Sequence, residues 1–177
     1  MKRNVLPVVS LLFAAALPIT SVSAQQIVPF VGGGVALGLG DAGENAEIGW
    51  LVLGGFDVPL SVVTEGFGFG VAGSFANIPY EGTVDDKVQI TSVTAEISYL
   101  IGEPTSTVRP YIRGGGGVQI HRYDLDDNTD VMAGGTAGAG VRFALGGADG
   151  MIGARLGMAA DGGFVGFHAG VAIPVGP

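Results

Sequence analysis

Between residues 108 and 123 the chain reads VRPYIRGGGGVQIHRY, with apolar and polar side chains on opposite parities. Val108, Ile112, Val118 and Ile120 occupy even positions; Arg109, Tyr111, Arg113, Gln119 and His121 occupy odd ones. Period two marks an extended strand, whose successive side chains point to opposite faces. The alternation recurs elsewhere. Over 88–101, Ser92, Thr94, Glu96 and Ser98 oppose Val93, Ala95, Ile97 and Tyr99. Over 131–145, Thr136 and Arg142 oppose Ala137, Ala139, Val141, Phe143 and Leu145. Arg155 opposes Ile152, Ala154, Leu156 and Met158 over 150–159, and His168 opposes Val165, Phe167, Val171 and Ile173 over 163–175. Three earlier segments, 27–39, 47–58 and 65–77, alternate less clearly, because their less apolar parity is mostly glycine, as at Gly32, Gly34, Gly68 and Gly70.

The breaks between these segments are of two kinds. Acids gather at Asp41, Glu44 and Glu47, at Glu81, Asp85 and Asp86, at Asp124, Asp126, Asp127 and Asp130, and singly at Asp161. Alternating with them come "DVPLS" at 57–61, "GEPTST" at 102–107 and "GGADG" at 146–150. Eight segments of roughly 10–15 residues suit tilted strands crossing a membrane. The pattern therefore predicts one all-β domain, an eight-stranded antiparallel up-and-down transmembrane β-barrel. Longer acidic loops are expected at one end, with shorter turns and both termini at the other.

Alternation alone does not say which face is inside, and composition decides that point. A soluble barrel needs a water-facing surface rich in Lys and Glu. Here only 14% of residues are charged, mean hydropathy is +0.50, and Lys87 is the one lysine beyond Lys2. Such a polar face suits a narrow lumen, in which small residues make room for arginine and histidine. Valine and isoleucine are then expected to meet lipid. Trp50, Phe75, Tyr80 and Phe167 should form an aromatic belt near the acidic end, and Phe56, Phe67, Tyr99 and Phe143 one near the other end. The 33 glycines follow no Gly-X-Y period and are interleaved with Val, Ile and Phe, which excludes collagen and flexible linkers.

The first residues have a basic start at Lys2 and Arg3, an apolar core from Val5 to Leu17, and a small-residue site at Val22-Ser23-Ala24. They read as a secretory signal peptide, 1–24, cut to leave a barrel domain over 25–177. Removal takes Lys plus Arg from 8 to 6 against 16 acids, a mature net charge of −10. Nucleic acid is excluded as a partner, since phosphate binding needs clustered cations. With no cysteine, disulfides are not the source of stability.

The N-terminal segment, the eight alternating segments and the VRPYIRGGGGVQIHRY strand together resemble the small eight-stranded outer-membrane barrel proteins, the OmpA/OmpX-like group. The resemblance implies a cell outer-membrane location, acidic loops facing outward, and outer-membrane lipid and the barrel-assembly machinery as partners. One feature departs from the group: such chains commonly end on an aromatic residue, and this one ends VAIPVGP.

Candidate chemistry falls into several readings. Glu96, Arg109, Arg113, Gln119, His121, Arg142, Arg155 and His168 should form a polar network in the lumen, with Glu47 and Asp57 near its ends, because buried charges must be paired. The arginine excess alternatively suggests a narrow, porin-like channel for small solutes, although eight strands enclose only side-chain space. The acids Asp41, Glu44, Glu81, Asp85, Asp86, Asp124, Asp126, Asp127, Asp130 and Asp161 offer weak cation or partner contacts. A helix–loop–helix calcium site fails within "DLDDNTD", where Thr129 stands in place of glycine and Gly135 in place of the bidentate glutamate. His121 and His168 lack a flanking serine motif, and Gly114–Gly117 lacks the lysine and helix of a phosphate loop. The expectation is a non-enzymatic protein without metal or cofactor, acting structurally or through its loops. A secreted soluble barrel holding an apolar ligand remains the contrasting reading.

Overall fold

The computed structural model describes residues 26–175 apart from 44, 61–62, 82–85 and 125–127. The segment 1–24 and the acids Glu44, Asp85, Asp126 and Asp127 lie outside the described residues, as does the side chain of Asp41. Eight strands follow in order: β1 Val28–Gly40, β2 Gly49–Pro59, β3 Phe67–Pro79, β4 Lys87–Leu100, β5 Val108–Tyr123, β6 Asn128–Ala144, β7 Asp149–Ala159 and β8 Gly162–Ala172. Each pairs antiparallel with its neighbour in sequence, and β8 closes on β1, leaving no sheet edge. Within hydrocarbon that closure satisfies every backbone N–H and C=O in the wall.

The predicted segments match these strands within a few residues, and β5 coincides with its prediction. Two ends differ. The β6 strand starts at Asn128 rather than 131, because Tyr123, Arg122 and His121 continue the ladder opposite Asn128, Thr129 and Asp130. The β8 strand stops at Ala172, beyond which Ile173 and Val175 keep backbone bonds to Pro29 and Ile27.

The register fixes the shape. Partners run from Val28 to Asp57, Gly70, Glu96, Gly115, Thr136, Gly157 and Phe164, and return to β1 at Gly38. Residues 28 and 38 are ten apart, so the shear is ten. At about 3.3 Å per residue and about 4.7 Å between strands, the strands tilt by about 41° on a radius of about 8 Å.

One expectation is corrected. The acidic connections contain eight, seven, four and two residues, and those at the opposite end seven, seven and four. The two ends therefore differ in charge rather than in loop length. The ends of the described chain, Gln26 and Val175, do sit opposite the acidic end.

The faces fall as the parity argument requires. On β4, Val93 and Ile97 are 56% and 55% exposed, whereas Thr94 and Glu96 between them are 1% exposed. Valine, isoleucine and leucine dominate the outer wall, at Val31, Val52, Ile112, Val131, Ile152 and Val171 among others, with Phe69 exposed on β3. An apolar outer wall around buried charges is the lipid-facing arrangement, and the soluble reading fails on it. The aromatic expectation is corrected at two positions: Tyr80 points inward and is buried, and Phe167 is exposed at the middle of β8. Trp50 and Phe75 do meet on the outer face, 5.3 Å apart.

Inward glycines do two jobs. A Cβ on Gly134 would strike Gln119, on Gly157 Phe164, and on Gly166 Leu51, so these glycines make room for side chains as expected. At Gly115 and Gly117 a Cβ would instead strike the backbone carbonyls of Ala95 and Val93 on β4. There glycine permits the neighbouring backbone to approach, which the sequence pattern does not reveal. The outward Gly116 has nothing nearer than the Gly134 carbonyl at 3.7 Å.

Candidate functional site: the barrel lumen

The inward parity of each strand places its polar side chains in the lumen, where they sort by height. Toward the termini, two carboxylates and three arginines interlock. Glu96 of β4 accepts from Arg113 Nε at 2.6 Å, Arg155 Nη2 at 2.5 Å, Thr136 Oγ1 at 2.7 Å and Thr94 Oγ1 at 2.8 Å. Asp57 of β2 accepts from Arg142 Nη2 at 2.6 Å and Arg113 Nη2 at 3.2 Å. Arg113 thereby bridges both carboxylates and also stacks over Phe30, 4.5 Å from the ring centroid. Charge-assisted bonds of this kind are the strong ones, and they answer the cost of burying five ions. Tyr111 of β5 and His168 Nε2 of β8 are hydrogen-bonded at 3.2 Å.

Toward the acidic end the interior turns apolar. Leu51, Ile78, Val88, Ile90 and Phe164 are fully buried there, and Ser74 and Ser92 share a hydroxyl bond of 2.6 Å below them. Gln119 spans this layer, donating to the carbonyls of Gly135 and Met158 at 3.3 and 3.2 Å. Its Oε1 meets His121 Nε2 at 3.1 Å, and His121 Nδ1 meets the Tyr123 hydroxyl at 3.3 Å. The lumen is thus filled by a charged lower layer beneath an apolar upper one.

The predicted site residues divide accordingly. Glu96, Arg113, Arg142 and Arg155 come together in one network, while Gln119 and His121 form a second group. His168 joins Tyr111 instead of an acid. Arg109 does not join: its side-chain bond is a long one, from Nη2 to the Gly102 carbonyl at 3.4 Å. Glu47 is corrected as well, being exposed in the β1–β2 connection rather than lining the interior. Asp57, expected near an end, is shared between two arginines. Thr94, Thr136, Tyr111, Ser74 and Ser92 are members that charge alone did not mark, though their inward parity was readable.

At the rim, Asp124 lies between Lys87 and Arg122, at 3.6 and 3.5 Å. Asp130 accepts from Asn128 at 2.9 Å, Asp86 is half-buried, and Glu81 and Asp161 are exposed. Among the described residues no three acids or histidines converge as a metal site would require. Neither histidine is hydrogen-bonded to a serine or a carboxylate among the described residues.

No family model and no curated protein matches the chain. Solved structures do match it. Neisserial surface protein A superposes with a TM-score of 0.69 at 15% identity, over 87% of this chain and all of that one. The N-terminal β-barrel domain of Pseudomonas aeruginosa OprF follows at 0.56 and 18%, over 86% and all of that domain. The chain has the fold of the small outer-membrane β-barrels. A further member of that fold group, the outer membrane enzyme PagL, superposes at 0.54 with 16% identity, over 82% of this chain and 99% of that one. The fold therefore admits catalysis as well as purely structural use, and the side chains must decide between them.

Proposed function

We propose that residues 1–24 direct export and are removed, and that 25–177 resides in the outer membrane as a non-enzymatic barrel. Its acidic end faces outward, and its role is structural or one of surface interaction through the acidic loops. The observation that carries this reading is the pairing of an apolar outer wall with a filled lumen. Glu96 and Asp57 each accept from two arginines of the lumen, which supports a structural role for the network. Among the described residues neither His121 nor His168 is hydrogen-bonded to the serine and carboxylate that acyl transfer needs. The channel reading draws support from the arginine excess, but the Leu51–Ile78–Ile90–Phe164 layer stands across the path.

The test begins with cell fractionation and gel mobility of the membrane extract. A faster-running unboiled band that shifts on heating is expected; a soluble form with no heat shift overturns the reading. In a planar bilayer the protein should add no conductance steps, and reproducible steps would favour the channel. An epitope placed at 82–85 should be labelled on intact cells. Labelling only after the envelope is opened would reverse the orientation.

A further inference from the structure

The lower mouth of the barrel holds a vestibule of about 270 Å³, open toward the termini. Arg109 and Arg142 line it together with Asp57, Ser98, Glu65 and Asp149. The two arginines are direct cross-strand partners on β5 and β6. Like charges so placed repel unless an anion offsets them. Asp57 offsets Arg142, at 2.6 Å, but it is shared with Arg113. Arg109 has no ion-pair partner among the described residues, only the Gly102 carbonyl. The Nε–H groups of Arg109 and Arg142, like that of Arg155 deeper in the lumen, are buried without a hydrogen-bond partner, so an anion in the vestibule meets the guanidinium Nη groups rather than Nε.

We infer that this vestibule binds a small carboxylate anion, with Arg109 as the principal recognition residue and Arg142 beside it. The planar guanidinium fork matches a carboxylate in two-point fashion. The volume suits an anion of a few carbons rather than a peptide or an oligosaccharide. Glu65 and Asp149 on the same lining select against dianions such as hydrogen phosphate. Above the vestibule, the charged network and the apolar layer close the lumen. The site is therefore a blind one: the anion binds and leaves by the same mouth. This extends the proposed function and does not depend on the acidic end facing outward.

The experiment is an NMR titration of the detergent-folded protein, following the arginine Nε–H signals. Sodium acetate is added at constant ionic strength against sodium chloride. The Arg109 and Arg142 signals should shift and saturate, while the exposed Arg122 signal should not. Arg109→Gln should weaken acetate binding by about tenfold or more, and Arg109→Lys, which keeps charge but loses the fork, should weaken it nearly as much. Hydrogen phosphate should bind more weakly than acetate in the wild type, and Glu65→Gln should narrow that gap. Both Arg109 variants should keep the heat-shifted band, since only one long bond is lost. Shifts that stay linear and alike at Arg109 and Arg122 would overturn the site. Tighter binding of phosphate than of acetate would overturn the carboxylate assignment.

Discussion

Glu96 receives four side-chain donors, two of them arginines on different strands, and no solvent reaches it to replace one. Glu96→Gln would leave Arg113 and Arg155 sharing the interior without their counter-charge. Breaking a buried pair in this way should cost about 3 kcal/mol or more, read as a lower urea midpoint for the barrel in detergent. A midpoint within error of wild type would show that water already neutralises the cluster. The glycines make a sharper comparison, because two neighbours in one stretch face opposite ways. Gly115→Ala drives a methyl into the Ala95 carbonyl and should destabilise by about 1–3 kcal/mol. Gly116→Ala points into open space and should change stability by less than about 0.5 kcal/mol. Equal midpoints for the two variants would refute the face assignment of β5.

At the scale of the strand, β4 separates its two environments most cleanly, with a carboxylate and an isoleucine as consecutive residues. Val93→Arg near the middle of β4 would place a cation in hydrocarbon. It should cost about 2–4 kcal/mol in lipid vesicles, and much less at Thr129 near the rim. Similar costs at both positions would mean that the outer wall meets water rather than lipid. The strands β4 to β8 were legible because their inner parity carries Ser, Thr, Glu, Arg, Gln or His against an apolar outer parity. The strands β1 to β3 were harder for a physical reason. Their inner positions include Val28, Phe30, Leu51, Leu53 and Ile78, buried in the lumen, so both faces are apolar and the alternation fades. Tyr80 was misassigned to the lipid belt on the same account, since an aromatic side chain suits either side of this wall.

For the molecule as a whole, the shear of ten is a geometric claim with a direct readout. Amide I dichroism of the protein in oriented bilayers should give a mean strand tilt of about 41°. A value near 36°, as for eight strands with a shear of eight, would contradict the register. Much of this architecture was already present in the linear chain. Period-two alternation, evenly spaced breaks and the scarcity of lysine determine eight strands, an apolar outside and a polar inside, because each is a property of neighbours along the backbone. Only the closed barrel decided which polar residues meet. Asp57 and Arg142 are 85 positions apart, and their 2.6 Å contact follows from tilt and register rather than from any local pattern. The same closure brought Arg109, which has no ion-pair partner among the described residues, opposite the Asp57-paired Arg142, and capped the arginine layer with Phe164 and Leu51. Such relations depend on distances across the lumen, and a one-dimensional pattern carries no measure of those.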